Sequence, residues 1–218
     1  QPLASVATSA DASLRWLDRP VPDIAEVEAG LRNIRQEGQR AGQIIRALRS
    51  LARQAPSQWV PLWIDDLVAD VLSMVHLDIE ARGIQLTTHL AAAVWVDGDR
   101  IQLQQVVLNL VTNALDAMDG TPQGQRHLAV VSEVDESFLV VRVMDRGAGI
   151  PPGAADRLFE PFFTTKADGL GMGLAICRNI AEAHGGRLQA RSRDAAGGAE
   201  FELRVPLSSS GEPAPARR

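Results

Sequence analysis

Apolar positions near the start of the chain recur every three or four residues, the spacing of one face of an α-helix. In the first predicted helix they are Leu3, Val6, Ala10, Leu14 and Leu17. Two prolines within residues 18–23 interrupt the pattern, and Asp23 is placed to cap a second helix. In that helix the apolar positions follow heptad spacing, at Val27, Leu31, Ile34, Gly38, Ala41, Ile45, Leu48 and Ala52. Since two such helices cannot bury their seams alone, we predict that residues 1–54 form a helical hairpin that dimerises into a four-helix bundle.

Beyond a linker at residues 55–58, the pattern changes to short strands mixed with helices. The predicted strands are Trp59–Ile64, Ile84–His89, Val94–Val96, His127–Val134, Phe138–Met144, Arg187–Arg193 and Ala199–Val205. The predicted helices are 65–81, 99–118 and 171–184. Because the two element types are interleaved without strict alternation, we predict an α+β fold, in which an α/β sandwich has a mixed, mostly antiparallel sheet with helices on one face. This domain covers residues 59–207, and we expect the tail at 208–218 to be disordered.

Composition narrows the classes of function. The net charge is −5 and the basic residues are scattered, apart from an arginine set between Arg32 and Arg53, which argues against nucleic-acid binding. The single cysteine, Cys177, excludes an internal disulfide and suits a reducing cytoplasm. No apolar run approaches the ~20 residues of a membrane-spanning helix, so we expect any membrane anchor to lie outside this chain. The four histidines lack metal-ligand spacing and are interpreted as structural.

The helix 99–118 carries the first candidate site. Gln105, Asn109 and Asn113 lie four residues apart, so their carboxamides stack on one helix face. Neutral carboxamide oxygens suit a hard cation that phosphates already hold, because they coordinate it without adding charge. The alternative is a polar helix face without a ligand.

The second candidate is the segment Asp145-Arg-Gly-Ala-Gly-Ile150, which directly follows a predicted strand. A carboxylate at a strand end can accept a hydrogen bond from an exocyclic amine, and Gly147 and Gly149 let the backbone approach a flat ring closely. Taken alone, the Asp-x-Gly-x-Gly pattern fits a common turn equally well.

The third candidate is the segment Leu158-Phe-Glu-Pro-Phe-Phe-Thr-Thr-Lys166, followed by Gly169-Leu-Gly-Met-Gly-Leu174 at the start of a helix. A glycine-rich loop that leads into a helix N-terminus presents backbone amides to an anion such as a polyphosphate. The chain has neither a Walker sequence nor a Rossmann fingerprint in a βαβ context. The pattern therefore indicates another class of nucleotide site.

In this order, these segments resemble the N, first glycine, F and second glycine boxes of the GHKL ATPase superfamily, specifically of bacterial sensor histidine kinases. The resemblance covers residues 59–206, because the closing strands are also similar. It implies a kinase that binds ATP and magnesium. The γ-phosphoryl would pass to a histidine and then to an aspartate of a separate response regulator.

The resemblance also implies roles for individual residues. Asn113 would be the principal magnesium ligand, and Asn109 would lie beside the phosphates. Asp145 would bind the adenine amine in a pocket that Gly147 and Gly149 shape.

Further implied roles concern the lid over the phosphates. Lys166 would reach a phosphate. The flexible lid and its hinge would be formed by Gly169, Gly171 and Gly173. Three aromatic side chains are expected to pack at the base of the lid, with contact to ATP as the alternative: Phe159, Phe162 and Phe163. Cys177 is interpreted as a core residue of the helix that follows.

The N-terminal hairpin resembles the dimerisation and phosphoacceptor domain of the same family, whose first helix usually carries His-Glu-x-Asn-Gln-Pro-Leu. This chain begins Gln1-Pro2-Leu3. By that alignment the phosphorylated histidine would lie four residues before Gln1, and Gln1 would stand where a residue orients water for dephosphorylation. We therefore expect this chain to bind ATP and to form a homodimer through residues 1–54, but not to phosphorylate itself at the usual site. The alternative is an acceptor-free, ATP-gated GHKL interaction module.

Overall fold

The computed structural model describes residues 2–35, 37–38, 59–155, 157–164, 171–193 and 197–208 of the 218-residue chain. The chain divides into two compact units, Gln1–Gln54 and Ala55–Arg218. Within the described residues, no helix combines the length and the apolar character that a membrane crossing requires.

The described residues of the first unit form two helices. Helix α1 spans Pro2–Leu17, and α2 covers residues 24–35, with 37–38 also helical. Asp23 caps α2 as predicted, because its Oδ1 accepts a hydrogen bond from the Glu26 N–H at 3.2 Å. The predicted heptad positions Ala41, Ile45, Leu48 and Ala52 lie outside the described residues.

The two helices contact each other through small and polar side chains. Asn33 Nδ2 donates a 2.9 Å hydrogen bond to Ser9 Oγ across the pair. Gly30 lies against Ser13, and a Cβ at Gly30 would overlap the Ser13 hydroxyl oxygen. The absence of a side chain at Gly30 therefore allows the close approach of the helices.

The second unit combines helices with two sheets. Its strands are β1 (Val60–Trp63), β2 (Gln85–Leu90), β3 (Trp95–Gly98), β4 (His127–Asp135), β5 (Phe138–Asp145), β6 (Arg187–Ser192) and β7 (Ala199–Pro206). Its α-helices are α3 (Ile64–Met74), α4 (His76–Ala81), α5 (Arg100–Ala117) and α6 (Gly173–Ala183), and a short 3-10 helix spans Arg157–Phe159.

Five strands form one mixed sheet in the order β2-β4-β5-β7-β6, in which β2 and β4 are parallel and the other neighbours are antiparallel. The predicted α+β fold with a mostly antiparallel mixed sheet is confirmed. The first and third strands depart from the expected single sheet, because β1 and β3 pair with each other in a separate two-stranded sheet.

The helices pack on one face of the large sheet, where α5 contacts β5 and α6 contacts β6 and β7. Alternating strand residues point into this core. Those that are fully buried include Leu128, Val130, Val141, Val143 and Leu203. The buried face of α5 supplies Leu103, Val106, Leu110 and Ala114 to the same core.

The predicted helix 65–81 is wrong in one respect, because the chain is interrupted at Val75 and forms α3 and α4 instead. Val75 has φ −104° and ψ 6°, outside helical geometry. Val71, Val75 and Ile79 are nevertheless all buried. The apolar spacing of four residues therefore continues through the break, and hydrophobic periodicity does not reveal it.

The opposite face of the sheet carries a network of ion pairs. Arg142 donates hydrogen bonds to Glu202 at 2.8 Å and to Glu133 at 2.5 Å. Arg204 donates to the other Glu202 oxygen at 2.8 Å and also pairs with Asp135. Burial acts to raise the pKa of Glu202, but the hydrogen bonds from Arg204 and Arg142 outweigh it, so the pKa lies below its usual value.

Candidate functional site

Asp145 is the last residue of β5, and only 1% of its surface is exposed. Its Oδ1 accepts hydrogen bonds from the backbone N–H groups of Gly147 at 2.7 Å and Ala199 at 3.2 Å. Its Oδ2 is buried and has no hydrogen-bond partner among the described residues. One oxygen is thus committed to the protein, while the other remains available to accept a hydrogen bond from a ligand.

The charge of Asp145 is poorly compensated. Burial raises the pKa of its carboxyl, although the backbone hydrogen bonds from Gly147 and Ala199 and the nearby Arg193 act to lower it. Leaving a buried polar atom without a partner is costly, and such atoms are rare in folded proteins. A donor group on a ligand would satisfy Oδ2 and stabilise the charged form.

The loop after Asp145 is fastened to the end of α5. The backbone N–H of Ala148 donates a 3.2 Å hydrogen bond to the carbonyl oxygen of Ala117. A Cβ at Gly147 would overlap that same carbonyl group, and Gly149 has φ +74°, a conformation that favours glycine. Gly147 therefore lets the Asp145 loop lie against the last turn of α5, one helical turn beyond Asn113, while Gly149 lies against Gly198.

Sequence reasoning did not identify Gly198, which completes this loop cluster. Gly198 has φ +88°, and a Cβ there would overlap the carbonyl oxygen of Asp145. Its position allows the next residue, Ala199, to donate its N–H to the Asp145 carboxylate. The adjacent pair Gly197–Gly198 before a predicted strand is a turn signal, but nothing in it points to Asp145.

Helix α5 begins at a strong cap and presents its carboxamides along one side. Asp99 is the N-cap, because its Oδ1 accepts hydrogen bonds from the N–H groups of Ile101 at 2.9 Å and Gln102 at 3.1 Å. The predicted carboxamide face is half-buried along its length and consists of Gln105, Asn109 and Asn113. Part of it faces α6, since Asn109 Nδ2 donates a 3.4 Å hydrogen bond to the sulfur of Cys177.

Phe162 and Gly171 join the two ends of the predicted lid. The N–H of Phe162 donates a 3.0 Å hydrogen bond to the carbonyl oxygen of Gly171. Gly171 has φ +64°, and a Cβ there would press on the backbone of Phe162 and Phe163. Gly173 begins α6, and among the described residues a Cβ at that position would meet nothing within 4 Å.

The three phenylalanines behave differently from one another. Phe159 is buried, as expected for packing at the lid base. Phe163 is half-buried, and the Arg157 guanidinium lies 4.5 Å from its ring centroid. Phe162 is 73% exposed, so its predicted packing is wrong. Its φ is +70°, which is uncommon for a bulky residue, and the apolar pattern of the sequence does not indicate it.

The remaining predicted site residues lie outside the described part of the chain: Gln1, Lys166 and Gly169. Their roles stay predictions. Cys177 is fully buried on α6, and its interpretation as a core residue agrees with this placement.

Comparison with known proteins points to one family. Residues 98–209 match the family described as histidine kinase-, DNA gyrase B- and HSP90-like ATPase. The chain is 37% identical over 211 residues to the sensor histidine kinase TmoS of Ectopseudomonas mendocina. The aligned region covers 95% of this chain and 22% of TmoS. This chain thus spans less than a quarter of the length of that relative.

Solved structures agree with the sequence match. The catalytic domain of the histidine kinase ThkA is 30% identical, with a TM-score of 0.62, and the match covers 69% of this chain and 96% of that domain. ThkA in complex with the response regulator protein TrrA shares the fold at 22% identity, with a TM-score of 0.70, over 97% of this chain and 59% of the ThkA chain.

Proposed function

Because the chain belongs to the family of histidine kinase-, DNA gyrase B- and HSP90-like ATPases, and within it to the sensor histidine kinases, we propose that it is the kinase core of a sensor protein. In this proposal the second unit binds ATP together with magnesium. The γ-phosphoryl is transferred to a histidine imidazole and from there to an aspartate of a separate response regulator. Such a reaction places this part of the protein in the cytoplasm, where ATP is available.

The observation that carries the proposal is the buried Oδ2 of Asp145, which has no hydrogen-bond partner in the part of the chain that the structure describes. The exocyclic amine of adenine is a hydrogen-bond donor that this acceptor lacks. Gly147 and Gly149 shape the loop around it, because Gly147 lies against the end of α5 and Gly149, at positive φ, lies against Gly198. We therefore assign Asp145 to the adenine amine and the two glycines to the wall of the base pocket.

In this proposal the carboxamides of α5 lie at the phosphate end of the nucleotide, and Asp145 lies at the adenine end. Asn113 is one helical turn before Ala117, the residue to which the Asp145 loop is fastened. We assign Asn113 as the magnesium ligand and Asn109 as a neighbour of the phosphates. Magnesium bound there would neutralise charge on the phosphates during transfer. Amide oxygens suit this task because they add no further negative charge.

The segment between Phe162 and Gly171 is the proposed lid. Gly171 and Gly173 are assigned to its hinge, because Gly171 adopts a positive φ that favours glycine and Gly173 begins the helix whose N-terminus would face the phosphates. Lys166 and Gly169 would complete the lid over the phosphates. The chain's contribution to catalysis in this reaction class is mainly positioning and charge stabilisation.

The first unit is proposed to form the dimerisation and phosphotransfer hairpin, in residues 1–54. Four large apolar side chains in the described parts of α1 and α2 are exposed: Leu14, Leu17, Ile24 and Leu31. A second copy of the hairpin would bury them in a four-helix bundle. Residues 55–58 would link this unit to the catalytic domain at 59–207, and 208–218 would form a tail. The phosphatase role of Gln1 and the docking of a receiver domain belong to the same proposal.

The first test measures ATP affinity by isothermal titration calorimetry, with and without magnesium, for the wild type and for Asn113→Ala. We expect the wild type to bind ATP more tightly with magnesium and the variant to lose most of that gain. An affinity that changes neither with magnesium nor with the substitution would contradict the assignment of Asn113.

The second test asks for the transfer itself. Full-length protein is incubated with ATP labelled in the γ-phosphate, in the wild-type and Asn113→Ala forms. We expect label that survives base but not acid, the behaviour of phosphohistidine, in the wild type alone. Nucleotide binding without any such label would instead favour a module that responds to ATP without transferring phosphate.

A further inference from the structure

Asn109 on α5 and Cys177 on α6 meet in the interior of the second unit, beneath the proposed phosphate site. Asn109 Nδ2 lies 3.4 Å from the sulfur of Cys177. The cysteine is fully buried, while the asparagine is half-buried and reaches the surface of the site. Helices α5 and α6 pack against each other along this line.

We propose that Cys177 is a positioning residue for Asn109, because its sulfur holds the nitrogen end of the amide and so turns Oδ1 away from α6. The proposal rests on the proposed function, in which Asn109 lies beside the phosphates and the magnesium ion. Cys177 itself touches neither the nucleotide nor the ion in this arrangement.

The direction of the amide determines what Asn109 can do. A carboxamide has a donor end and an acceptor end of nearly equal size, and the two differ only in the partners they accept. With Nδ2 directed at a buried sulfur, Oδ1 is the end left for a hard cation or for a donor on the ligand. A flipped amide would instead present N–H groups to a cation and repel it.

A thiol is well suited to this role. Burial raises the pKa of Cys177 to about 12, so the group stays a neutral thiol. It adds no negative charge next to the phosphates, as a carboxylate would. The sulfur is also a weak hydrogen-bond acceptor that fits an apolar helix interface. A more strongly polar group would lose its hydration there, at a cost in free energy.

If Cys177 had only a packing role, its substitutions would have different effects from those that a positioning role predicts. Buried cysteine ordinarily behaves as a small apolar residue, and on that view alanine and serine at this position differ only in how they fill space. A positioning role requires an acceptor atom. Cys177→Ser retains an acceptor for Asn109 Nδ2, whereas Cys177→Ala removes it.

The experiment uses the whole 218-residue chain and begins without nucleotide. The side-chain amide resonances of Asn109 are identified in an 15N-resolved NMR spectrum by their loss in Asn109→Ala. We expect them to shift markedly in Cys177→Ala and to stay close to the wild-type position in Cys177→Ser. Ile180→Val is the control, since Ile180 is buried on the same helix one turn later; it should lower thermal stability without moving these resonances.

The second readout is ATP affinity with and without magnesium. In Cys177→Ala we expect the gain from magnesium to fall about fivefold, which corresponds to about 1 kcal/mol, while ATP affinity without magnesium stays within about twofold. Cys177→Ser should restore most of the gain. Unchanged Asn109 resonances in Cys177→Ala, or equal losses in the alanine, serine and Ile180→Val variants, would overturn the proposal. Failure of the wild type to bind ATP would instead count against the proposed function, since the NMR comparison does not depend on it.

Discussion

The backbone N–H of Asp99 donates a 3.0 Å hydrogen bond to Nε2 of His184, which joins the first turn of α5 to the last turn of α6. The other ring nitrogen, Nδ1, lies 2.8 Å from the carbonyl oxygen of Ile180. Because a carbonyl only accepts, Nδ1 carries the proton and Nε2 is the acceptor for Asp99. The ring also stacks on Trp59 at 5.0 Å between centroids. His184 therefore has a structural role, as the sequence indicated, and it fixes the helix that presents Asn109 and Asn113.

Substitution of His184 by alanine should destabilise the second unit. The change leaves the buried Asp99 N–H unsatisfied and opens a cavity beneath Trp59, for a loss of about 2–4 kcal/mol in the free energy of unfolding. Urea denaturation followed by circular dichroism measures it. His76→Ala is the control, because His76 is exposed on α4 and pairs with Glu80 at the surface; it should change stability by less than about 0.5 kcal/mol. Similar losses in both variants would contradict the role of His184.

Asp145→Asn should weaken nucleotide binding without lowering the stability of the fold. Asparagine can keep the hydrogen bonds from Gly147 and Ala199, but it places an NH₂ group where the proposed adenine amine would bring its own donor. We expect ATP affinity to fall at least about tenfold, since a buried donor then faces another donor. The melting temperature should be equal to that of the wild type or higher, because a poorly compensated buried charge is removed. Calorimetric titration and thermal denaturation give the two readouts.

The same carboxyl makes binding depend on pH. Burial raises the pKa of Asp145, so its charged form is lost as the pH falls through that raised value. ATP affinity should therefore decline at acidic pH more steeply in the wild type than in Asp145→Asn. Asp78→Asn, an exposed position on α4, should follow the wild type. An equally steep decline in Asp145→Asn would show that the titration belongs to another group.

Gly147→Ala should damage both the fold and the site. The added Cβ would overlap the carbonyl of Ala117, so the loop must move away from α5 at a cost of about 1–3 kcal/mol. ATP affinity should fall as well, since this loop also positions Asp145. Gly120→Ala is a matched control nearby, because a Cβ there meets nothing within 4 Å. Chemical denaturation and ATP titration of the two variants test the difference.

Glu202 should contribute stability that depends on pH. Its pKa is lowered in the folded state, so its contribution is present above the unfolded value, near 4.5, and is lost as the pH falls through the folded value. Glu202→Gln should cost about 1–2 kcal/mol at pH 7, because Arg142 and Arg204 lose a charged partner. The gap between variant and wild type should narrow below about pH 4. A gap that stays constant between pH 7 and pH 3 would contradict this ion-pair account.

Much of the second unit was predictable from local patterns. The helix at 99–118 was predicted from its apolar face, and the structure places α5 at Arg100–Ala117, with Asp99 as its cap. The strands on either side of residue 136 alternate apolar and polar positions, and they form β4 and β5. Where backbone conformation changes without a change in the apolar pattern, as at Val75 and Phe162, the prediction failed. A hydrophobic pattern reports which side of an element is buried, and it does not report φ and ψ at single residues.

The sequence by itself determined the family, the order of the elements and the positions of Asn109, Asn113 and Asp145, because each depends on residues that are close along the chain. Tertiary structure alone decided how these residues are held. Ala199 supports the Asp145 carboxylate, Cys177 receives the Asn109 amide, and His184 accepts from Asp99. The partners in these pairs are 54, 68 and 85 residues apart. Such contacts arise only when β7 and α6 pack beside β5 and α5, and no local pattern encodes that packing.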